Sequence, residues 1–447
     1  MSLDLHIQAE KAFNKNAFDL IAFLEEKASE AIIANDPIGS RADKLSDDWS
    51  DKIADAPIRI SETSKGESID IFEQYRGRSV GFNTTEYPKF EKFIKSIYKM
   101  KSISDKVSYD FLYDNTFRWL VDVHKTKRAE EEFVSYLNNR IAEVTGNFTY
   151  SFKILNLDIQ KKFNLGKVEF EYLEASYFDK MEEKKSLDDV NALREKLQGM
   201  VYASCTIMNV ERSRGVNLAL QECYKAMDVL KLFSPTIIRP KHRTYFDIDN
   251  RVTVSEEQEY IIRDRGDFDQ FNINLAAGAK PYELKVETID DIVISAKNFV
   301  FLISLKQPNE LQKLILNGLS RLSEAISNPN IHRRLVDLFT IWEAFLLKNN
   351  SVNIQDSIIE YGAAFMKIKD KDKIVEFKSF IMSMYDIRSQ VVHHANHKEI
   401  DLQKMSQLQI YTIHLIEDLI GLSVNYPTKA IAIEAYDNFI VKNTPNI

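Results

Sequence analysis

The chain has 447 residues, of which 44% are hydrophobic, so it is long enough for more than one folded core. Its formal net charge of −8 excludes a broadly basic surface that coats nucleic acid, but it does not exclude a local basic site. Two cysteines, Cys205 and Cys223, are too few for a disulfide framework or for a structural zinc site on their own, which suits a reducing cytosol. Neither a signal peptide nor an apolar run of about 18 residues is present, so we expect a cytoplasmic protein without membrane contact.

The N-terminal region, residues 1–145, is predicted to be mainly helical. Apolar residues recur at helical spacing over 1–35 and again over 87–145. Residues 36–85 between them are polar and show little periodicity. We therefore predict a loop-rich segment at 36–85.

The middle region, residues 146–305, is predicted to be an α+β domain. Apolar and polar residues alternate in FTYSFKILNLDI and KVEFEYLEASYF, as half-buried strands do, and the residues from Leu187 to about Phe233 have helical spacing. Further strands are predicted in TYFDIDN, FNINLA, YELKVETI and FVFLISL. Because no catalytic motif is found in residues 1–305, a sensing, regulatory or substrate-gating role is expected for the middle domain.

The C-terminal region, residues 306–447, is predicted to be an all-α antiparallel bundle. Helical spacing is clear in five segments separated by short breaks: 309–327, 330–348, 354–368, 371–394 and 401–424. The predicted fold class is therefore α+β, with a helical N-terminal segment, a mixed middle domain and a C-terminal helical bundle.

One arginine of the helix predicted at 371–394 falls on its apolar stripe. Steps of three or four residues lead from Phe377 through Met384 to Arg388, where a leucine would be expected. An unpaired buried guanidinium costs several kcal/mol, so Arg388 must meet an anion. This anion could be a bound phosphate, a carboxylate across an interface, or an internal carboxylate such as Glu343 near the apolar face of IWEAFLL.

His393 and His394 follow Arg388 at the end of the same helix. A histidine titrates near neutral pH and can move a proton, and an arginine beside it can stabilise charge on a phosphate. The combination suits metal-independent cleavage of RNA by attack of its own 2′-hydroxyl. The structural alternative is that the two histidines only interact with the C-terminal end of the helix dipole.

The bundle resembles the HEPN superfamily, and within it the Apea-like branch. The resemblance covers about residues 308–430 and lies in Arg388, the polar Ser389, three further residues and His393, with Trp342-Glu343 on the earlier helix. It implies a metal-independent endoribonuclease without a cofactor, usually a homodimer in which two motifs face each other to form one composite site. Arg388 would stabilise the phosphate, His393 would be the acid or base, and Ser389 would orient the site.

The chain departs from the branch directly after the histidine, where members often have glycine and this chain has His394. His394 could be a second proton-transfer group, could replace His393, or could be a solvated helix end. The resemblance also implies a toxic effector of anti-phage defence by abortive infection, set off by a phage-derived trigger. The alternative is a non-catalytic RNA-binding or dimerisation scaffold, because kinship of fold does not establish function.

Overall fold

The computed structural model describes most of the chain, namely residues 6–28, 58–62, 68–75, 78–173, 190–191, 194–195, 197–251, 257–264, 267–275, 281–348, 354–365, 368, 370–394 and 398–443. The chain divides into two compact units, Met1–Phe148 with Ile207–Leu218, and Thr149–Thr206 with Ala219–Ile447. The three-part division at 145 and 305 stays a prediction. Within the described ranges, no helix is long and apolar enough to cross a membrane.

The first unit combines helices with an antiparallel sheet whose strand order is β1-β4-β3-β2. Its core is aromatic, and the rings of Phe82, Phe90 and Phe117 lie within 6.3 Å of one another. Its elements are α1 (Ile7–Ile21), β1 (Glu25–Ala28), β2 (Ile58–Glu62), β3 (Ser68–Tyr75), β4 (Arg78–Phe82), α2 (Tyr87–Tyr98), α3 (Lys101–Ser104), α4 (Tyr109–Thr126) and α5 (Phe133–Val144).

Two predictions for the first unit are wrong. Residues 36–85 are not a loop-rich segment throughout, because β2, β3 and β4 lie within them, with Ile71 and Val80 in the core. The polar residues that suggested a loop share these strands with apolar ones, as expected where only one face of a sheet is buried. The helix predicted over 1–35 ends at Ile21, because Glu25–Ala28 pairs with β4 instead; residues 29–35 lie outside the described residues.

The second unit begins with strands and short helices. The main sheet has the order β10-β5-β9-β8-β7, and β13 pairs with β6 in parallel. The elements from residue 146 to 303, some of which run into the first unit, are β5 (Gly146–Leu155), β6 (Leu157–Ile159), β7 (Phe163–Leu165), β8 (Val168–Tyr172), β9 (Val201–Val210), α6 (Arg212–Lys231), β10 (Asp247–Ile248), β11 (Glu257–Asp264), β12 (Asp267–Leu275), β13 (Tyr282–Leu284), α7 (Val286–Ser295) and α8 (Lys297–Ile303).

Two predictions for the middle region are also wrong. Strand β9 lies inside the segment predicted as helix, and it pairs with β8 in the centre of the sheet. FVFLISL is not a strand, because most of it lies in α8, where Phe299, Leu302 and Ile303 are buried. Both errors come from short continuous apolar runs, whose periodicity does not separate a buried strand from a buried helical turn.

Five of the six C-terminal helices agree with the predicted positions, and the last helix, which begins at Lys429, was not predicted. The six are α9 (Glu310–Ser327), α10 (Ile331–Leu346), α11 (Ile354–Phe365), α12 (Lys371–His394), α13 (Leu402–Ser423) and α14 (Lys429–Asn443). Helix α10 packs against α9, α11, α12 and α13 and so lies at the centre of the bundle. The predicted fold class, α+β with a C-terminal bundle, is confirmed.

Local signals explain where these helices begin. The side chain of Asn309 accepts a hydrogen bond from the backbone of Gln312, whose side chain bonds back to Asn309, so that α9 starts with a capping box. The side chains of Asn330 and Asp401 accept hydrogen bonds from backbone N–H groups in the first turns of α10 and α13, respectively. Between α9 and α10 the approach is close, since a Cβ added at Gly318 would lie 2.2 Å from the ring of Phe345. The bundle therefore fixes α10 and α12, which carry the residues discussed next.

Candidate active site

Arg388 on α12 forms an ion pair with Glu343 on α10. Its Nη2 lies 2.9 Å from Oε1 of Glu343, and donates to Oε2 at 3.2 Å. The two side chains are 15% and 19% exposed, so the pair is largely shielded from water. The anion that the apolar stripe required is therefore, in this structure, the internal carboxylate of Glu343. This is one of the alternatives that the sequence left open.

Tyr385 on α12 forms a hydrogen bond with the same carboxylate. Its hydroxyl donates to Oε1 of Glu343 at 3.0 Å, and its ring packs edge-on against Phe339 with the centroids 5.1 Å apart. Burial, together with the nearby charge of Glu343, raises the pKa of Tyr385 to about 12. The phenol is therefore protonated at neutral pH and acts as a donor. Glu343 is thus fixed by two groups of α12, Tyr385 and Arg388.

Only one nitrogen of the Arg388 guanidinium is engaged by this pair. The Nε atom is buried and has no hydrogen-bond partner, and Nη1 makes no hydrogen bond to any residue that the structure describes. Arg388 therefore does not form the two parallel bonds of a bidentate arginine–carboxylate pair. Buried donors are usually satisfied, so the unused N–H groups mark a place where a further acceptor would be favourable.

His393 lies on a different side of α12 from Arg388. Five residues along an α-helix turn the side-chain direction by about 140°, so the two cannot share a face. Arg388 faces α10, whereas His393 is exposed. Positions 375 and 382 fall within about 20° of residue 393 on a helix, and Val375 and Met382 are 63% and 40% exposed. One copy of α12 thus presents His393 on a face that also carries exposed apolar side chains.

The other predicted site residues are only partly placed. Ser389 is half-buried directly after Arg388, and its orienting role stays a prediction. His394 is the last residue of α12, but its side chain is outside the described residues. The structure brings Arg388 and Glu343 together, and it does not bring His393 to them within one chain.

Sequence reasoning missed Tyr385. Its position three residues before Arg388 was the available signal, because residues three apart lie on neighbouring positions of a helix surface. A tyrosine near an apolar stripe is ordinarily a core residue, so the sequence alone does not distinguish Tyr385 from the packing residues around it.

Within the part of the chain that the structure describes, no three histidine, cysteine, aspartate or glutamate side chains converge as a metal site would require. Comparison of the chain with protein-family models, with curated proteins and with solved structures finds no match. The resemblance to the HEPN superfamily therefore stays a prediction from the residues of α10 and α12.

Proposed function

We propose that the protein is a metal-independent endoribonuclease whose site is built on α12 of the bundle. The proposal is carried by one observation: only one nitrogen of the Arg388 guanidinium is paired with Glu343, and the other two make no hydrogen bond to a described residue. The paired nitrogen is Nη2, and the other two are Nε and Nη1. An arginine held in this way can offer its Nη1 to a phosphate without first having to be ordered.

In the proposed reaction the 2′-oxygen of a ribose attacks the adjacent phosphorus. His393 accepts the proton of the 2′-hydroxyl as the O2′–P bond forms, and Arg388 stabilises the negative charge of the five-coordinate state. The bond from phosphorus to the 5′-oxygen breaks, and this oxygen takes a proton from water. The products are a 2′,3′-cyclic phosphate and a 5′-hydroxyl.

Two copies of the chain are needed for this chemistry, because Arg388 and His393 leave α12 about 140° apart. In the proposed homodimer, Arg388 of one copy and His393 of the second act on the same phosphodiester. The exposed Val375 and Met382 on the His393 face supply apolar area for such contact. The resemblance to the Apea-like branch supports the same dimer, a cytoplasmic location, and a toxic effector of abortive infection that responds to a phage-derived trigger.

A second candidate is a non-catalytic RNA-binding or dimerisation scaffold. The Arg388–Glu343 pair favours it, because an internal carboxylate already accounts for an arginine on the apolar stripe. On this account His393 is a solvated residue at the end of α12, and its replacement changes no activity.

The two candidates are separated by incubating the purified protein with total RNA in EDTA, beside Arg388→Lys and His393→Ala proteins. Arg388→Lys keeps the charge and lowers the risk that an unpaired Glu343 unfolds the bundle. We expect fragments with 2′,3′-cyclic phosphate ends from the wild type, and a loss of about 10²-fold or more in each variant. His414→Ala, an exposed histidine on α13, is the matched control. Equal cleavage by all four proteins rules out the site.

A further inference from the structure

A second basic site lies in the same unit, in a cavity of about 670 Å³. It is lined by residues 234–236, 239 and 241–246, which precede β10, and by Tyr282, Pro329 and Arg334. The volume is in the range of small-ligand pockets. The segment Arg239-Pro240-Lys241-His242-Arg243 supplies most of its charged groups, and none of these residues belongs to the site on α12.

Arg334, in the first turn of α10, is the most buried of the basic residues, with 1% of its surface exposed. Its Nε donates to the carbonyl of Asn328, and its Nη1 donates to the carbonyls of Pro240 at 2.7 Å and of His242 at 2.9 Å. The two N–H groups of Nη2 make no hydrogen bond to any residue that the structure describes. Arg334 is therefore held rigidly by three backbone oxygens, with two donors left over.

No carboxylate of a described lining residue neutralises this charge. The described lining of the cavity contains four arginine or lysine residues and one histidine, and no aspartate or glutamate. Burial, together with the nearby Arg243, lowers the pKa of Arg334 to about 10. A buried guanidinium without a counter-ion is costly, and the N-terminal end of α10 adds partial positive charge to the same place. An anion in the cavity would relieve this cost.

Aromatic rings line the same cavity. Tyr245 and Tyr282 are half-exposed, and the ring of Phe246 stacks on Tyr282 at 5.3 Å with an angle of 8°. Tyrosine faces beside arginines are the surfaces on which nucleobases stack. A simple phosphate would interact only with the basic groups, whereas a nucleotide also carries a base that can pack beside these rings.

We propose that this cavity binds a nucleotide, with its phosphate at Arg334 and Arg243 and its base against the tyrosine rings. Lys241 and Arg239, both exposed at the rim, would contribute charge to the phosphate side. The proposal does not rest on the ribonuclease activity, because it uses no residue of the site on α12. The same chemistry is offered by a free nucleotide and by the phosphorylated 5′ end of a single-stranded RNA.

The proposal is tested by isothermal titration calorimetry of the full-length protein with AMP, UMP, adenosine and inorganic phosphate. We expect at least one of the two nucleotides to bind about tenfold or more tightly than adenosine and than phosphate. Arg243→Ala and Lys241→Ala, which change exposed or half-exposed side chains, should each weaken nucleotide binding about tenfold. Arg78→Ala, which removes an exposed arginine of the first unit, is the matched control and should bind as the wild type does.

Three results would overturn the proposal: no binding of AMP or UMP at about 1 mM, binding no tighter than that of phosphate alone, or Arg243→Ala and Lys241→Ala proteins that bind like Arg78→Ala. Binding of a 5′-phosphorylated, 2′-O-methylated uridine hexamer shows whether the ligand is a free nucleotide or an RNA end. The 2′-O-methyl groups prevent cleavage by attack of a 2′-hydroxyl during the measurement. Binding tighter than that of UMP indicates an RNA end, and equal or weaker binding indicates a free nucleotide; either result supports the site.

Discussion

Arg388 and Arg334 are shielded arginines of the same bundle, and they differ in what surrounds their charge. Arg388 is 15% exposed at its side chain and faces the carboxylate of Glu343. Arg334 is 1% exposed, and among the described residues its guanidinium donates to three backbone carbonyls and to no carboxylate. Carbonyl dipoles can satisfy N–H groups without neutralising the charge. An arginine can therefore be well hydrogen-bonded and still carry a positive charge that an anionic ligand would neutralise.

The largest expected effect on stability follows from Arg334→Leu. Removal of the guanidinium leaves the buried carbonyl of Pro240 and the part-buried carbonyls of Asn328 and His242 without this donor. An unsatisfied buried acceptor costs about 1–3 kcal/mol, and less where water reaches it. Relief of the uncompensated charge offsets part of this, so we expect a net destabilisation of about 3 kcal/mol. It is measured as the fall in the urea unfolding midpoint of the second unit.

The matched control for Arg334→Leu is Arg321→Leu, because Arg321 on α9 is 46% exposed. We expect its effect to stay within about 0.5 kcal/mol, as for ordinary surface changes. If Arg334→Leu destabilises the protein no more than the control does, the hydrogen bonds of Arg334 to the three backbone oxygens do not stabilise the fold.

The next effect concerns the carboxylate partner of Arg388. Glu343→Gln leaves a shielded guanidinium beside a neutral amide and should destabilise the bundle by about 2 kcal/mol. When Glu343→Gln is combined with Arg388→Gln, the loss of stability should be smaller than the sum of the two single losses. The difference, which is the coupling energy, should be about 1–2 kcal/mol. Urea unfolding of the four proteins of this cycle gives the coupling. Additive effects would mean that the pair does not form in solution.

A smaller effect is expected from Tyr385→Phe, which removes the hydroxyl bond to Glu343 and keeps the contact with Phe339. We expect a loss of about 1 kcal/mol at pH 8. The pKa of Tyr385 is raised to about 12 in the folded protein, above the unfolded value near 10. Its contribution is therefore fully present below pH 10 and is lost as the pH rises through 12.

Urea unfolding at several pH values tests the raised pKa of Tyr385. The difference in urea midpoint between wild type and variant should narrow between pH 8 and pH 11, because only the wild type loses this contribution. A constant difference across the series would show that Tyr385 does not titrate with a raised pKa.

The smallest effect on stability is expected from His393→Ala, since this side chain is exposed. We predict a change within about 0.5 kcal/mol, against a loss of RNA cleavage of about 10²-fold or more. His414→Ala should leave both quantities unchanged. A large loss of stability in His393→Ala would indicate a structural residue, and the activity loss would then carry no mechanistic weight.

The helices of the bundle could be predicted from the sequence because their signals are local. The span predicted at 371–394 coincides with α12, and the one at 309–327 differs from α9 by one residue. Caps such as Asn309 and the 3.6-residue spacing depend only on neighbouring residues. Strand β9 could not be found in this way, because its pairing with β8 joins segments about 30 residues apart.

The candidate site could be predicted only in part. The position of Arg388 on the stripe required an anion, and Glu343 was among the candidates because of its place on α10. The cavity at Arg334 gave no comparable signal, since the partners of this arginine are backbone carbonyls from residues 240, 242 and 328. Every residue has such a carbonyl, and only the fold selects these three.

The most direct test of the central claim is to mix Arg388→Lys and His393→Ala proteins after partial unfolding and joint refolding, and to measure RNA cleavage in EDTA. If Arg388 of one copy acts with His393 of the other, each mixed dimer contains one intact Arg388–His393 pair of two. Cleavage should then return to about a quarter of the wild-type rate, because about half of the dimers are mixed. Single-variant proteins that cleave as fast as the wild type, or a mixture no more active than its two components, would contradict the account.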